Sequence, residues 1–138
     1  MKYLLDTNTC IRYLNGRSPA VLERLDALPD SDIAVCSVVK FELRYGALRS
    51  DYVEKMLEKQ EIFLNRYASL PFDDAALFHA ARIRADLAQA GTPIGPYDLL
   101  IAAIALTHDL ILVTHNVKEF GRVTRLKIED WEGGDETL

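Results

Sequence analysis

Short apolar runs alternate along this chain with longer stretches whose apolar positions recur at helical spacing. The runs 2–5, 33–36 and 110–113 predict buried strands, with a brief extended piece at 69–71 and a last edge strand at 127–128. Between them, Thr7 or Asn8 is placed to cap a helix to Asn15 that Gly16 ends. Ser18-Pro19 starts a second helix, to about Leu28. Ser37 is placed to cap a third, to Tyr45, with Gly46 ending or kinking it. A long polar helix is expected from Asp51 to about Tyr67. Asp73 caps the next, with Leu77, Ala80, Ala81, Leu87 and Ala88 at helical spacing and Gly91 as its stop. The stretch 96–107 opens on Pro96 and is apolar nearly all round, which predicts a central helix. Strands alternating with helices predict an α/β fold with a mostly parallel sheet.

The chain has 138 residues, enough for one ordinary domain and too few for two. A single domain is expected over 1–132, with 133–138 as a frayed tail. With 49% hydrophobic residues, a packed core needs no disulfide staple. Cys10 and Cys36 lack a CxxC spacing and read as buried thiols in a reducing compartment. His79, His108 and His115 form no zinc-ligand pattern with them. No run approaches the ~18 apolar residues of a membrane span, and Asp6 breaks the first one at once. A soluble, cytoplasmic protein is expected. The net charge of −5 argues against a non-specific nucleic-acid binder. It does not exclude a nuclease, because Arg12, Arg17, Lys40, Arg44 and Arg49 supply local positive charge.

Four acids near the ends of different apolar segments change this picture: Asp6, Glu42, Asp98 and Glu119. In α/β sheets, ligands bind beyond the carboxyl ends of strands. Gathered there, the four would repel unless a cation compensates them, and oxygen-only ligands favour Mg²⁺ or Mn²⁺. Each also has a plain structural role. Asp6 could cap a helix, though Thr7, Asn8 and Thr9 beside it make it redundant. Asp98 suits a helix N-terminus. Glu42 could be a solvated helix residue. Thr114 and Asn116 could hold a water or a phosphate oxygen, or form a turn with a capping Asn. His115 beside a strand end reads as structural, and Glu129, Asp130 and Asp135 as an acidic tail. The leading reading is a metal-dependent phosphodiesterase, most plausibly a ribonuclease.

The motifs carrying these acids, taken in order, resemble a PIN domain, and closely the VapC-type toxin ribonucleases of bacterial toxin–antitoxin pairs. They are Leu5-Asp6-Thr7-Asn8, Phe41-Glu42-Leu43-Arg44-Tyr45-Gly46, the stretch 91–103 around Gly95-Pro96-Tyr97-Asp98, and Leu112-Val113-Thr114-His115-Asn116 followed by Glu119-Phe120. Ile128-Glu129-Asp130-Trp131 is similar to one branch of these toxins. The resemblance covers nearly the whole chain. It implies a three-layer α/β fold, with a central twisted sheet flanked by helices. It puts the principal metal-site acids on Asp6, Glu42 and Asp98, and a small hydroxyl residue on Thr114. Many PIN domains carry a further Asp where this chain has Asn116, which leaves Asn116 or Glu119 as the fourth ligand. The implied activity is hydrolysis of an RNA phosphodiester by water activated at Mg²⁺, with Mn²⁺ possible, leaving a 5′-phosphate and a 3′-hydroxyl. A tRNA substrate is favoured, the initiator tRNA anticodon loop among the targets. A VapB-type antitoxin, a homodimer and toxin–antitoxin hetero-oligomers are implied as assemblies. The alternative is a non-catalytic PIN domain that binds RNA or a partner protein, and retention of all three principal acids argues against it. A haloacid-dehalogenase-like phosphatase would need a second Asp where Asn8 stands.

Overall fold

In the computed structural model, which describes residues 1–132, the strands are β1 (Tyr3–Leu5), β2 (Ile33–Cys36), β3 (Ala68–Leu70), β4 (Ile111–Val113) and β5 (Ile128–Glu129). They form one sheet in the order β3-β2-β1-β4-β5, and every neighbouring pair is parallel. Parallel neighbours need crossovers, and helices supply them: α1 (Thr7–Asn15), α2 (Pro19–Ala27), α3 (Ser37–Leu48), α4 (Val53–Leu64), α5 (Asp74–Ala90), α6 (Pro96–Thr107) and α7 (Val117–Phe120). The helices cover the sheet, so β1 and β2 are buried along their whole length. The expected tail, 133–138, lies outside the described residues.

The strand order positions the site. From β1 the chain steps to β2 and β3 on one side, then returns to place β4 and β5 on the other. The order reverses between β1 and β4, which opens a crevice beyond their carboxyl ends. Leu5 pairs with Val113 in register, so the next residues, Asp6 and Thr114, share the floor of that crevice.

Local chemistry sets most helix ends as the sequence predicts. Ser18 Oγ accepts from the Val21 N–H, and Pro19 opens α2. Asp73 accepts from the Ala76 N–H. Gly16 and Gly91 take the left-handed φ of 69° and 72° that stops α1 and α5. Within α6, Ile101, Ala102, Ala103, Ile104 and Ala105 are fully buried; this is the expected central helix, and α5 packs along it.

Several expectations are corrected. Asp6 itself caps α1, its Oδ1 accepting from the Thr9 N–H at 2.8 Å. Ser37 is the first residue of α3, not its cap. Gly46 lies inside α3, which continues to Leu48. There Leu43 and Ala47 are buried, and that packing outweighs the ~1 kcal/mol cost of a helical glycine. The polar helix is shorter than expected and starts at Val53. The buried face of α5 is Ala76, Ala80, Ile83 and Leu87, while Leu77 is exposed. Small residues at 76 and 80 suit close approach of α6. The turn after β4 leads into a short helix, α7. Glu129 belongs to the sheet rather than to a tail. Cys10 and Cys36 are free and buried, and burial pushes the Cys36 thiol up to about 11.

Candidate active site

Asp6 is only 4% exposed. Its backbone N–H donates to Val113 O at 3.1 Å, which fixes it at the β1–β4 junction. Burial raises its carboxyl above the ordinary carboxylate range, against the opposing pull of hydrogen bonds from Thr114 and Thr9. Thr114 is fully buried. Its Oγ1 accepts from the Asn116 N–H at 3.0 Å, which leaves its own proton for Asp6. Thr9 Oγ1 donates to Val113 O at 3.1 Å and closes the floor.

Glu42 reaches this floor from α3. Its Oε1 accepts from the Thr7 hydroxyl at 2.6 Å. Thr7 follows Asp6 directly, so one turn of chain orients two of the acids. Of the two roles open to Glu42, a solvated helix residue or an acid of the site, this bond favours the second by tying one of its oxygens to α1.

Asp98 arrives in the first turn of α6 and Glu119 in α7. Both carboxylates crowd Gly95: Asp98 Oδ2 and Glu119 Oε1 each lie 3.5 Å from the point where a Cβ on that glycine would stand. The Gly95 N–H donates to Glu119 Oε1 at 3.1 Å. Asp98 and Glu119 are hydrogen-bonded to each other. Burial pushes Asp98 up to about 8, aided by Glu119 and by the charges of Glu42 and Asp6. Glu119 is held below its ordinary value, chiefly by the Asp98 hydrogen bond, with help from Gly95, Asn116 and Arg122. The pair therefore favours holding one proton between them, with Asp98 the more readily protonated of the two. A helix N-terminus ordinarily favours a charged carboxylate; here burial and repulsion outweigh it.

Of the six residues expected at the site, all six lie around this crevice; Asn116 is the N-cap residue of α7, but its side chain supports Glu119 rather than the helix. Among the described residues, no three His, Cys, Asp or Glu side chains stand close enough together to grip one ion as they are. The donor set is nonetheless all oxygen, and the proton on Asp98 stands where a compensating cation would relieve the same repulsion. The residues present thus fit a hard divalent ion.

Sequence reasoning missed the rim. Glu132 faces Asp6 closely enough to raise it, and its Oε1 accepts from Arg12 Nε at 3.3 Å. His115 Nδ1 pairs with Asp130 Oδ2 at 3.0 Å. Arg122 donates to Pro93 O at 2.8 Å beside Glu119. Only β5 pairing brings residues 130–132 back to the crevice, and the chain's local pattern carried no signal of it.

A PIN domain model matches residues 3–126. The tRNA(fMet)-specific endonuclease VapC of Salmonella typhimurium is 41% identical over 131 residues, spanning 95% of this chain and 98% of that protein. The chain belongs to the VapC branch of the PIN-domain family. Ribonuclease VapC2 of Rickettsia felis is 38% identical across 96% of this chain and 99% of its own length. Among solved structures, DNA-bound VapBC from Salmonella typhimurium superposes with a TM-score of 0.90 at 40% identity, covering 95% of this chain and 98% of that one. VapBC2 of Rickettsia felis bound to a promoter DNA fragment gives 0.88 at 37% identity, with coverage of 95% and 99%. Glu119 turns inward and stands against Asp98, with Asn116 beside it. No helix among the described residues is long and apolar enough to cross a membrane.

Proposed function

We propose that this protein is a toxin endoribonuclease of a type II toxin–antitoxin pair, cutting RNA phosphodiester bonds at the β1–β4 crevice. The observation that carries the reading is the convergence of Asp6, Glu42, Asp98 and Glu119 in a chain so similar to a tRNA(fMet)-specific endonuclease. A carboxylate cluster that must hold a proton at neutral pH is unfavourable for folding alone and suits a site kept for chemistry.

Asp6, Glu42 and Asp98 would hold Mg²⁺ or Mn²⁺, with Glu119 as the fourth acid. When bound, such an ion lowers the pKa of water and stabilises charge on a phosphodiester under attack. The protein supplies the rest. Thr114 and Thr9 fix the Asp6 carboxylate, and Thr7 fixes Glu42. Gly95 and Asn116 hold Glu119 beside Asp98, and Asp98 would have to be deprotonated to serve as a ligand to the ion. No covalent enzyme intermediate is required.

The favoured substrate is tRNA, with the initiator anticodon loop as first target. The likeness to VapBC complexes supports a VapB-type antitoxin as partner, and homodimerisation is part of the same reading. Incubating total tRNA with antitoxin-free protein and Mg²⁺, then mapping the new ends, tests the substrate. A single cut in initiator tRNA is expected. Cutting spread over all tRNAs would contradict a specific tRNA target.

A further inference from the structure

Two exposed aromatic rings each adjoin an acid of the crevice in sequence and pack in no core. Phe41 precedes Glu42 on α3, and Tyr97 precedes Asp98 on α6. Their ring centroids are 5.4 Å apart at an interplanar angle of 66°. They are 52% and 45% exposed, so the contact is held at the surface rather than in the core. Each ring is one residue from a carboxylate of the site, and together they bridge the two helices that deliver those acids. Lys40 and Arg44 line the same groove as Phe41. Lys40 Nζ is hydrogen-bonded at 3.3 Å to Ser69 Oγ, and Arg44 is exposed.

We infer that Phe41 and Tyr97 form a stacking platform for an unpaired base flanking the scissile phosphate, with Lys40 and Arg44 taking the adjoining phosphates. The inference rests on the ribonuclease reading and adds to it how the RNA is positioned. Single-stranded RNA is gripped by aromatic faces for its bases and by cations for its backbone; here the rings adjoin the acids in sequence, and the cations lie in the α3–α4 groove that Phe41 also lines. The platform also resolves a difficulty of charge. A chain of net charge −5 with an acidic crevice repels RNA, so stacking and local cations must hold the strand while the acids hold the ion. Stacking needs a base free of its helix, which favours a loop over a duplex.

The test uses an initiator-tRNA anticodon stem-loop RNA, with binding followed by fluorescence anisotropy beside cleavage kinetics. Phe41→Ala and Tyr97→Ala should each raise Kd and KM about tenfold while kcat moves far less. Phe41→Trp should restore affinity. Removing the one base that stacks should erase the difference between wild type and Phe41→Ala. Phe78→Ala, at a ring 72% exposed on α5, is the control and should change nothing. Equal RNA affinity for Phe41→Ala and wild type overturns the inference. So does loss of antitoxin binding with RNA affinity intact, which would make the rings a protein-docking face. Binding without cleavage by the wild type would count against the nuclease reading alone, since the affinities still judge the platform.

Discussion

Asp98 at the start of α6 and Glu119 in α7 stand hydrogen-bonded against each other, a contact that two fully charged carboxylates cannot make. Asp98 comes from a rigid Gly95-Pro96 approach, and Glu119 from a four-residue helix anchored by buried Phe120.

A pH dependence follows for metal-free protein. Asp98 titrates at about 8 when folded and near 3.9 when unfolded. Between these values the folded state holds a proton that the unfolded chain has lost. Stability therefore falls as pH rises from about 4 to about 8, then levels off. Glu119, shifted downward, acts in the opposite sense only at lower pH. Melts in EDTA across this range should show the decline, and Asp98→Asn should flatten it and raise Tm at pH 8. A lower Tm for Asp98→Asn at pH 8 would mean that Asp98 is a stabilising helix-end charge instead.

Adding Mg²⁺ should act most strongly where the proton is lost. At pH 8 a saturating concentration should raise the Tm of the wild type, and the gain should shrink toward pH 5, where protons compete for the same oxygens. Asp98→Asn should gain less than wild type at every pH. Differential scanning fluorimetry decides this, and a gain of equal size in both proteins would place the ion elsewhere.

Asp6 has two roles that two substitutions separate. Asp6→Asn keeps an oxygen for the Thr9 N–H and should leave stability within about 1 kcal/mol. Asp6→Ala removes the cap and should cost about 1–2 kcal/mol. Both should abolish RNA cleavage. Urea titrations beside activity assays check the pair, and cleavage retained in Asp6→Asn would restrict Asp6 to capping.

Thr7 reaches the acid on the neighbouring helix, through a 2.6 Å hydrogen bond to Glu42. Thr7→Val keeps the shape and deletes the donor. The expected loss is about 10-fold or more in kcat/KM, with stability changed by no more than ~1 kcal/mol. Thr7→Ser should recover most of the activity. Full activity in Thr7→Val would show that Glu42 needs no orientation.

Residues 128–132 should be integral to the domain. Trp131 is buried, meets Tyr3 edge-to-face at 5.2 Å and lies under Arg24. Trp131→Ala should cost about 3–5 kcal/mol. An unchanged denaturation midpoint would make this segment an appendage and move the domain boundary inward.

The sequence made some of these relationships legible and hid others for physical reasons. Apolar runs ending in Asp6 and Thr114 read as strands with a site beyond them, because burial on both faces leaves a continuous signature. The apolar stretch 96–107 read as a central helix for the same reason. Which face of α5 is buried was not readable, since Leu77 and Ile83 are equally apolar and only the position of α6 chooses between them. Thr7 looked like one cap among several; its bond to a residue 35 positions away has no local trace. Glu129 and Asp130 looked like tail acids because only the pairing of β5 with β4 returns this stretch to the sheet and the rim.

The measurement that most directly tests the central claim is cleavage of initiator tRNA by antitoxin-free protein in Mg²⁺, Mn²⁺ or EDTA, with Asp6→Asn, Glu42→Gln and Asp98→Asn alongside. A site-specific cut is expected with either metal, none in EDTA, and a loss of at least 100-fold (about 2.7 kcal/mol or more) in each folded variant. Cutting that persists in EDTA, or that survives in Asp98→Asn, would contradict a metal-dependent carboxylate site at this crevice.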